Sequence, residues 1–309
     1  METSKASGRS TSPSKGLRET MRRHPLFFFF LMAYAFSWII LIPFILQEWD
    51  IVPRVFTFAF VLNPFVGPTL AAVIMTGIID GKAGVLRLLR RCVQWRAGWQ
   101  WYLFVLLGIP ALLLLGTILL PGALAGFIGF PRAYLVIYLV NFVVIFFLGG
   151  PLGEEPGWRG FALSRLQLTY GPLKGTLLLG VLWACWHLPH FLTSVQGGGP
   201  GTGFATFLTN FPIFVLLVIA LSIVMAWVFN HTRGSLFIAI LLHASINTFG
   251  IVAPLFPVPN VPLVTSTNLA ALIGLGVPAL LIAILTRGQL GYQPDQVQPL
   301  MPVEIKAQS

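Results

Sequence analysis

Runs of about 20 predominantly apolar residues, the length that carries a helix across a bilayer, recur along this 309-residue chain with almost no charge inside them. Eight stretches qualify: 26–46, 55–79, 101–120, 134–148, 173–192, 211–229, 235–252 and 268–286. The fourth is short and the seventh carries polar residues. Charged residues make up 9% of the chain and hydrophobic ones 56%, whereas a soluble domain carries roughly 25% charged residues. Such a chain cannot cover a water-facing surface. The expected fold is all-α: a polytopic membrane bundle of about eight transmembrane helices. The first run is too long for a cleavable signal peptide, and no small-residue cleavage site follows it.

Charge then orients the bundle. Basic residues gather in cytoplasmic segments of membrane proteins. With eight spans and the N-terminus inside, all but Arg54 and Arg132 of the 19 Lys and Arg fall in inside segments. Both termini are therefore expected in the cytoplasm, and the compartment is a cell membrane, read as a prokaryotic cytoplasmic one. Residues 1–24 read as a disordered basic tail, 25–288 as the integral domain and 289–309 as a cytoplasmic tail. The segment 81–102 reads as an amphipathic interfacial helix, with arginines for headgroups and tryptophans at the boundary. "QGGGPGTG" at 196–203 reads as a flexible outside loop. The net charge of +10 sits between apolar segments rather than on a soluble face, so no nucleic-acid partner is implied. The partners implied are the lipid bilayer and whatever the membrane domain acts on. Cys92 and Cys185 have neither disulfide nor metal spacing.

A few polar groups interrupt the apolar spans. Between Asp80 and Asp295 the only acids are Glu154 and Glu155, in "EEPGWR", where Pro156 suits the first turn of a helix and the carboxylates suit its N-terminus. "WACWHLPHF" places His187 inside the fifth span and His190 near its end, at the interface. "HASIN" sets His243 and Asn247 at i, i+4, one turn apart on one helical face. Asn141 stands alone in the fourth span and reads as packing glue. Burying these groups unpaired is costly, and intramembrane ionisable residues mark functional sites. Two carboxylates, two imidazoles, a guanidinium and a carboxamide are expected to converge on one wet cavity. It would hold the parts for activating water: a carboxylate base, an imidazole and oxyanion donors.

At these residues the chain resembles the CPBP family of intramembrane endopeptidases, which includes type II CAAX prenyl proteases and bacteriocin-processing and immunity proteins. The family pattern E-E-x-x-x-R matches Glu154, Glu155 and Arg159. F-x-x-x-H matches His187, with Trp183 in the aromatic place, and H-x-x-x-N matches His243 and Asn247. The likeness covers about 134–250. It implies hydrolysis of a peptide bond in a membrane-associated peptide or protein. Glu154 with His187 would activate water, His243 and Asn247 would stabilise the oxyanion, and Glu155 and Arg159 would orient them. A competing account makes Glu154, His187 and His243 zinc ligands. The chain lacks H-E-x-x-H, which favours the version with no cofactor.

Two other classes stay open from the residues: a proton-coupled transporter, since buried acids and histidines also form relays, and a non-catalytic immunity or scaffold protein. One conflict remains. Counting from the span ends puts His187 about 21 Å and His243 about 12 Å from the cytoplasmic face at 1.5 Å per residue, while Glu154 falls near the surface. The glutamates are therefore expected to dip into a cavity open to the cytoplasm.

Overall fold

The computed structural model describes residues 13–294. Every regular element among them is helical. In chain order they are α1 (Pro13–Arg23), α2 (Pro25–Glu48), α3 (Thr57–Arg91), α4 (Trp99–Ile118), α5 (Tyr134–Leu148), α6 (Pro151–Tyr170), α7 (Pro172–Trp186), α8 (Phe204–His231), α9 (Leu236–Phe249) and α10 (Leu263–Leu285). A 3-10 turn, Leu188–Leu192, extends α7. Seven helices are long and apolar enough to cross a membrane. An eighth span results if α5 and α6, bent by 42° at their junction, count as one. The chain is thus a multi-pass, all-helical membrane protein.

Three expectations are corrected. Residues 13–23 of the supposed disordered tail form α1, whose sequence alternates Arg18, Arg22 and Arg23 with Leu17 and Met21; residues 1–12 lie outside the described part, as do 295–309 of the C-terminal tail. The helix expected over 81–102 is shorter: beyond a kink at Gly81 (φ 64°) it ends at Arg91, and a turn with exposed Trp95 leads to exposed Trp99 at the start of α4. Asn141 bridges no helices, because its amide donates to the carbonyl of Ile137 one turn back in α5. Both cysteines are free.

Hydrogen bonds between loops define two ends of the bundle. At one end Arg22 reaches the Ile78 carbonyl (2.9 Å), Arg91 reaches Gly234 (2.9 Å) and Gly160 (3.3 Å), Ser235 reaches Gln94 (2.6 Å), and Asn230 reaches Leu290 (2.9 Å). At the other, Trp49 donates to the Leu192 carbonyl (2.8 Å), Ser194 to the Glu48 carboxylate (2.6 Å), and the Ile128 amide to Leu255 (3.1 Å). Exposed Arg18, Arg22, Arg23, Lys82, Arg87, Arg90, Arg96, Arg233 and Arg287 belong to the segments of the first end, and Arg54 and Arg132 to the second. The charge asymmetry read from the sequence is therefore an asymmetry of the folded bundle.

Helices without a hydrophobic driving force between them pack through small residues, and α4 against α10 shows how closely. A Cβ on Gly116 would stand 2.0 Å from the Ala270 carbonyl oxygen, and one on Gly274 would stand 2.3 Å from that of Leu112. Backbone cannot retreat as a side chain can, so overpacking here should cost about 1–3 kcal/mol. Gly116→Val and Gly274→Val are each expected to lower the melting temperature in detergent. An unchanged melt for both would show that this crossing is looser than described.

Candidate active site

The chain breaks direction at Gly149 and Gly150. Gly150 has φ 106°, a conformation that side chains other than glycine's disfavour. Pro151 then takes the first position of α6, where its missing N–H costs nothing. The helix thus starts at Pro151 rather than at Pro156, which lies inside it. This break resolves the conflict of depth. Counted with α5 as one bent span, α6 carries the chain on to Tyr170, and the glutamates then fall midway along that span. Arg159, whose guanidinium was expected to join the cavity groups, is fully buried there.

The two neighbouring carboxylates have separate surroundings. Glu154 Oε2 accepts from the indole N–H groups of Trp158 (3.2 Å) and Trp183 (2.7 Å). Its Oε1 accepts no hydrogen bond among the described residues. Glu155, with no exposure, accepts through Oε1 from Arg159 Nη1 (3.0 Å) and from His243 Nδ1 (2.8 Å). The Arg159 guanidinium also lies 4.1 Å above the centre of the Trp183 ring. A π-helical turn, Trp158–Leu163, follows directly, and such turns gather at functional sites.

Hydrogen-bond partners fix the histidine protons. His187 Nδ1 lies 2.9 Å from the Trp183 carbonyl, which only accepts, so Nδ1 carries the hydrogen and Nε2 of the neutral ring keeps a lone pair. His243 Nδ1 likewise faces the Glu155 carboxylate and carries hydrogen. Its Nε2 can donate only when the ring is protonated, with Glu155 as counter-ion. Asn247, one turn further, donates to the Gly149 carbonyl at the helix break (3.3 Å).

Glu154, His187, His243 and Asn247 line one cavity of about 430 Å³. Glu155 and Arg159 stand behind it, as an ion pair supporting His243. Four of the six expected residues therefore meet at the cavity and two brace it. Apolar Phe60, Leu113, Phe214, Leu217 and Leu221 form much of the remaining wall. Among the described residues no three His, Cys, Asp or Glu side chains are grouped closely enough to hold a metal ion.

Several participants were not read from sequence. Trp158 follows Glu154 by one helical turn, a spacing that could have named it as the carboxylate's donor. His190, expected at the interface, is 5% exposed. The 3-10 turn Leu188–Leu192, with Pro189 at its second position, folds it back to within 3.4 Å of Asn63 and 5.2 Å of the His187 ring. Asn63, an isolated carboxamide in an apolar span, was the available signal and was passed over. The cavity draws part of its wall from one end of the bundle. Its lining includes Val195, Gln196, Gly250, Leu263 and Val264, from the segments at the end opposite the arginine-rich one. The reason is direction: α7 enters from the arginine-rich end, so His187 closes its far end.

The braced pair and the free carboxylate should respond differently to mutation. Removing one partner of a buried ion pair costs about 3–5 kcal/mol because the other charge is left uncompensated. Glu155→Gln and Arg159→Met are expected to melt well below the parent in detergent, while Glu154→Gln, whose carboxylate has no cationic partner, melts close to it. Equal melts for the three would remove the distinction.

Residues 136–249 match the family model described as type II CAAX prenyl endopeptidase Rce1-like. The CAAX prenyl protease 2 of Methanococcus maripaludis is 33% identical over 94 residues, which cover 30% of this chain and 34% of that protein. The chain thus spans about a third of the length of the curated relative it matches. The matched residues hold all three motifs, Glu154 to Asn247, so the resemblance read from them is borne out. Over residues 136–249 this membrane protein is similar to the Rce1-like type II CAAX prenyl endopeptidases.

Proposed function

We propose that the chain is an intramembrane endopeptidase that hydrolyses a peptide bond of a membrane-associated peptide or protein. One observation carries this reading. A carboxylate with an unengaged oxygen, Glu154, and an imidazole with an unengaged lone pair, His187, line the same largely apolar cavity as the donors His243 and Asn247. Water held by Glu154 Oε1 and His187 Nε2 loses a proton as it attacks the carbonyl carbon. The two indole N–H bonds keep the Glu154 carboxylate aimed and leave Oε1 for the water. The carbonyl oxygen gains charge, which the Asn247 amide and the His243 imidazolium stabilise, with Glu155 balancing that imidazolium. The proton then passes to the leaving nitrogen as the C–N bond breaks. Positioned acid–base groups contribute roughly 10²- to 10⁴-fold, and each oxyanion donor about 10²- to 10³-fold.

The role of zinc in this reaction is likewise a proposal. Nε2 of His187 and of His243 and Oε1 of Glu154 are the donors a metal would need, and the same three atoms could activate water without one. The proposed form needs no metal.

Purified protein tests the reading against a quenched-fluorescence peptide library in lipid nanodiscs. Glu154→Gln is expected to abolish cleavage. His243→Ala and Asn247→Ala should each lower kcat about 10²- to 10³-fold with little change in KM, since the oxyanion exists only in the transition state. Chelator is expected to leave the rate unchanged. Full activity in Glu154→Gln would overturn the mechanism, and loss on chelation with recovery on added zinc would replace it by the metal-dependent one. Ion flux abolished by Glu154→Gln, with no peptide cleaved by the parent, would favour a transporter.

A further inference from the structure

A second cluster of charge lies apart from the glutamates, where the end of α3 meets α6. The backbone of α3 breaks at Gly81, whose positive φ favours glycine. The helix beyond the break brings Arg91 to the Gly160 carbonyl of α6 (3.3 Å). Asp80, Gly84, Arg87, Arg91, Gly160 and Arg165 are among the residues lining a cavity of about 20 Å³ there. It shares no lining residue with the cavity of Glu154. Arg91 and Arg165 are each 6% exposed, whereas the Arg87 side chain is 45% exposed and marks the mouth.

Charge around this cavity does not balance. Asp80 is the single acid in the lining, and it pairs with Arg87 at 3.9 Å, too long for a hydrogen bond. Arg91 and Arg165 make no ion pair among the described residues. Neutral groups hold them instead. Arg91 donates through Nε to the Gly234 carbonyl (2.9 Å) and through Nη1 to that of Gly160. Arg165 donates through Nη1 to the Phe161 carbonyl (2.9 Å) and lies 3.7 Å from the centre of that residue's ring. Arg91 Nη2 and Arg165 Nε are buried without a partner among the described residues. Buried polar atoms are nearly always paired, and a guanidinium only donates, so the missing partner accepts. Two buried cations without a counter-ion are costly, which points to an anion. Space on the order of 10–15 Å³ admits one water, so the cavity takes one oxygen of an anion whose other atoms sit at the Arg87 mouth. Phosphate presents oxygens of that size, and arginine forks suit them. Leu86 and Leu89 are exposed on the same helix as Arg87 and Arg90, the mixture of apolar and cationic groups that lies among lipid headgroups.

We propose that this cavity is a binding site for an anionic phosphate group, one oxygen of which enters between Arg91 and Arg165 while Arg87 closes over the others. Asp80, as a like charge, opposes it. Basic pockets between membrane helices hold phospholipid headgroups in this way; free phosphate is the other source of the same chemistry. A phosphate held there ties the end of α3 to α6, the helix that carries Glu154 and Glu155. The assignment does not depend on the hydrolase reading.

Native mass spectrometry of the full chain in detergent tests this without requiring activity. Phosphatidylglycerol and phosphatidylcholine are titrated separately onto the delipidated protein, and inorganic phosphate is then added alone and as a competitor. The parent is expected to retain one phosphatidylglycerol in preference to phosphatidylcholine. Arg87→Gln, at a half-exposed position that the fold tolerates, should weaken this binding about tenfold through loss of a hydrogen bond to a charged group. Arg96→Gln, which removes an exposed cation outside the cavity, should leave it unchanged. Asp80→Asn should tighten it several-fold, because the like charge is gone. Equal affinity in the parent, Arg87→Gln and Arg96→Gln would reveal only a general attraction to surface charge and overturn the site. Equal retention of the two lipids or weaker binding by Asp80→Asn would overturn it as well. Failure of the parent to bind either lipid or phosphate would mean that water alone fills the cavity, and the proposal would fall. Displacement of the lipid by inorganic phosphate, or binding of phosphate alone, with the same response to these substitutions keeps the site and assigns it the free ion.

Discussion

A single buried carboxylate organises the interior. Glu155 has no contact with solvent and holds Arg159 from its own helix and His243 from α9 through one oxygen. A membrane interior gives a charge no solvent to fall back on, so these three groups specify one another's positions. Geometry around them follows. The Arg159 guanidinium, drawn to Glu155, covers the Trp183 ring, and that places the Trp183 indole where its N–H meets Glu154. The same residue's carbonyl then sets the proton of His187. Fixing one ion pair thus orients side chains on three helices, α6, α7 and α9.

Adjacency of the two glutamates has a geometric explanation. Successive residues of an α-helix point about 100° apart, at 3.6 residues per turn. Neighbouring carboxylates therefore cannot face the same wall. One looks into the cavity, where an unengaged oxygen is useful; its neighbour looks between α6 and α9, where only a compensated charge is tolerable. The break at Gly149 and Gly150 sets both in the bent helix α6 and frees a carbonyl for Asn247. An unbroken fourth span would leave the acids near a surface, and the histidines would then have no carboxylate to meet.

The sequence spoke most clearly through composition and through polar residues that a bilayer should exclude. Eight apolar runs, the cationic asymmetry and the convergence of Glu154, His187, His243 and Asn247 were all legible, because each is a local departure from an apolar background. What escaped reading depended on backbone direction. Gly150 and Pro151 gave the break locally, yet the proline chosen as the helix start was Pro156. His190 was set at the interface because it nears the end of the fifth span, whereas the 3-10 turn around Pro189 brings it against Asn63. Asn63 and Trp158 matter only through partners distant in sequence or seated one turn away.

The two walls of the cavity differ in origin, and this bears on what can be carried over from relatives. The matched stretch, 136–249, supplies Glu154, His187, His243 and Asn247. Phe60 and Asn63 of α3, Leu113 of α4, and Leu263, Val264 and Asn268 of α10 lie outside it and complete the enclosure. Reaction chemistry depends on groups held to within a fraction of an ångström, and the Glu155 ion pair braces such groups within the matched stretch. Selection of a substrate depends on which shapes and hydrogen-bonding groups the remaining wall admits. Phe214, Leu217 and Leu221 of α8 bring part of that wall from the matched stretch, and α3, α4 and α10 bring the rest from outside it. Relatives with the same motifs can therefore share a reaction while admitting different peptides. Exchanging residues of α3 and α10 is accordingly the physical route by which one such chain would come to accept another's substrate, with the chemistry of α6, α7 and α9 left intact.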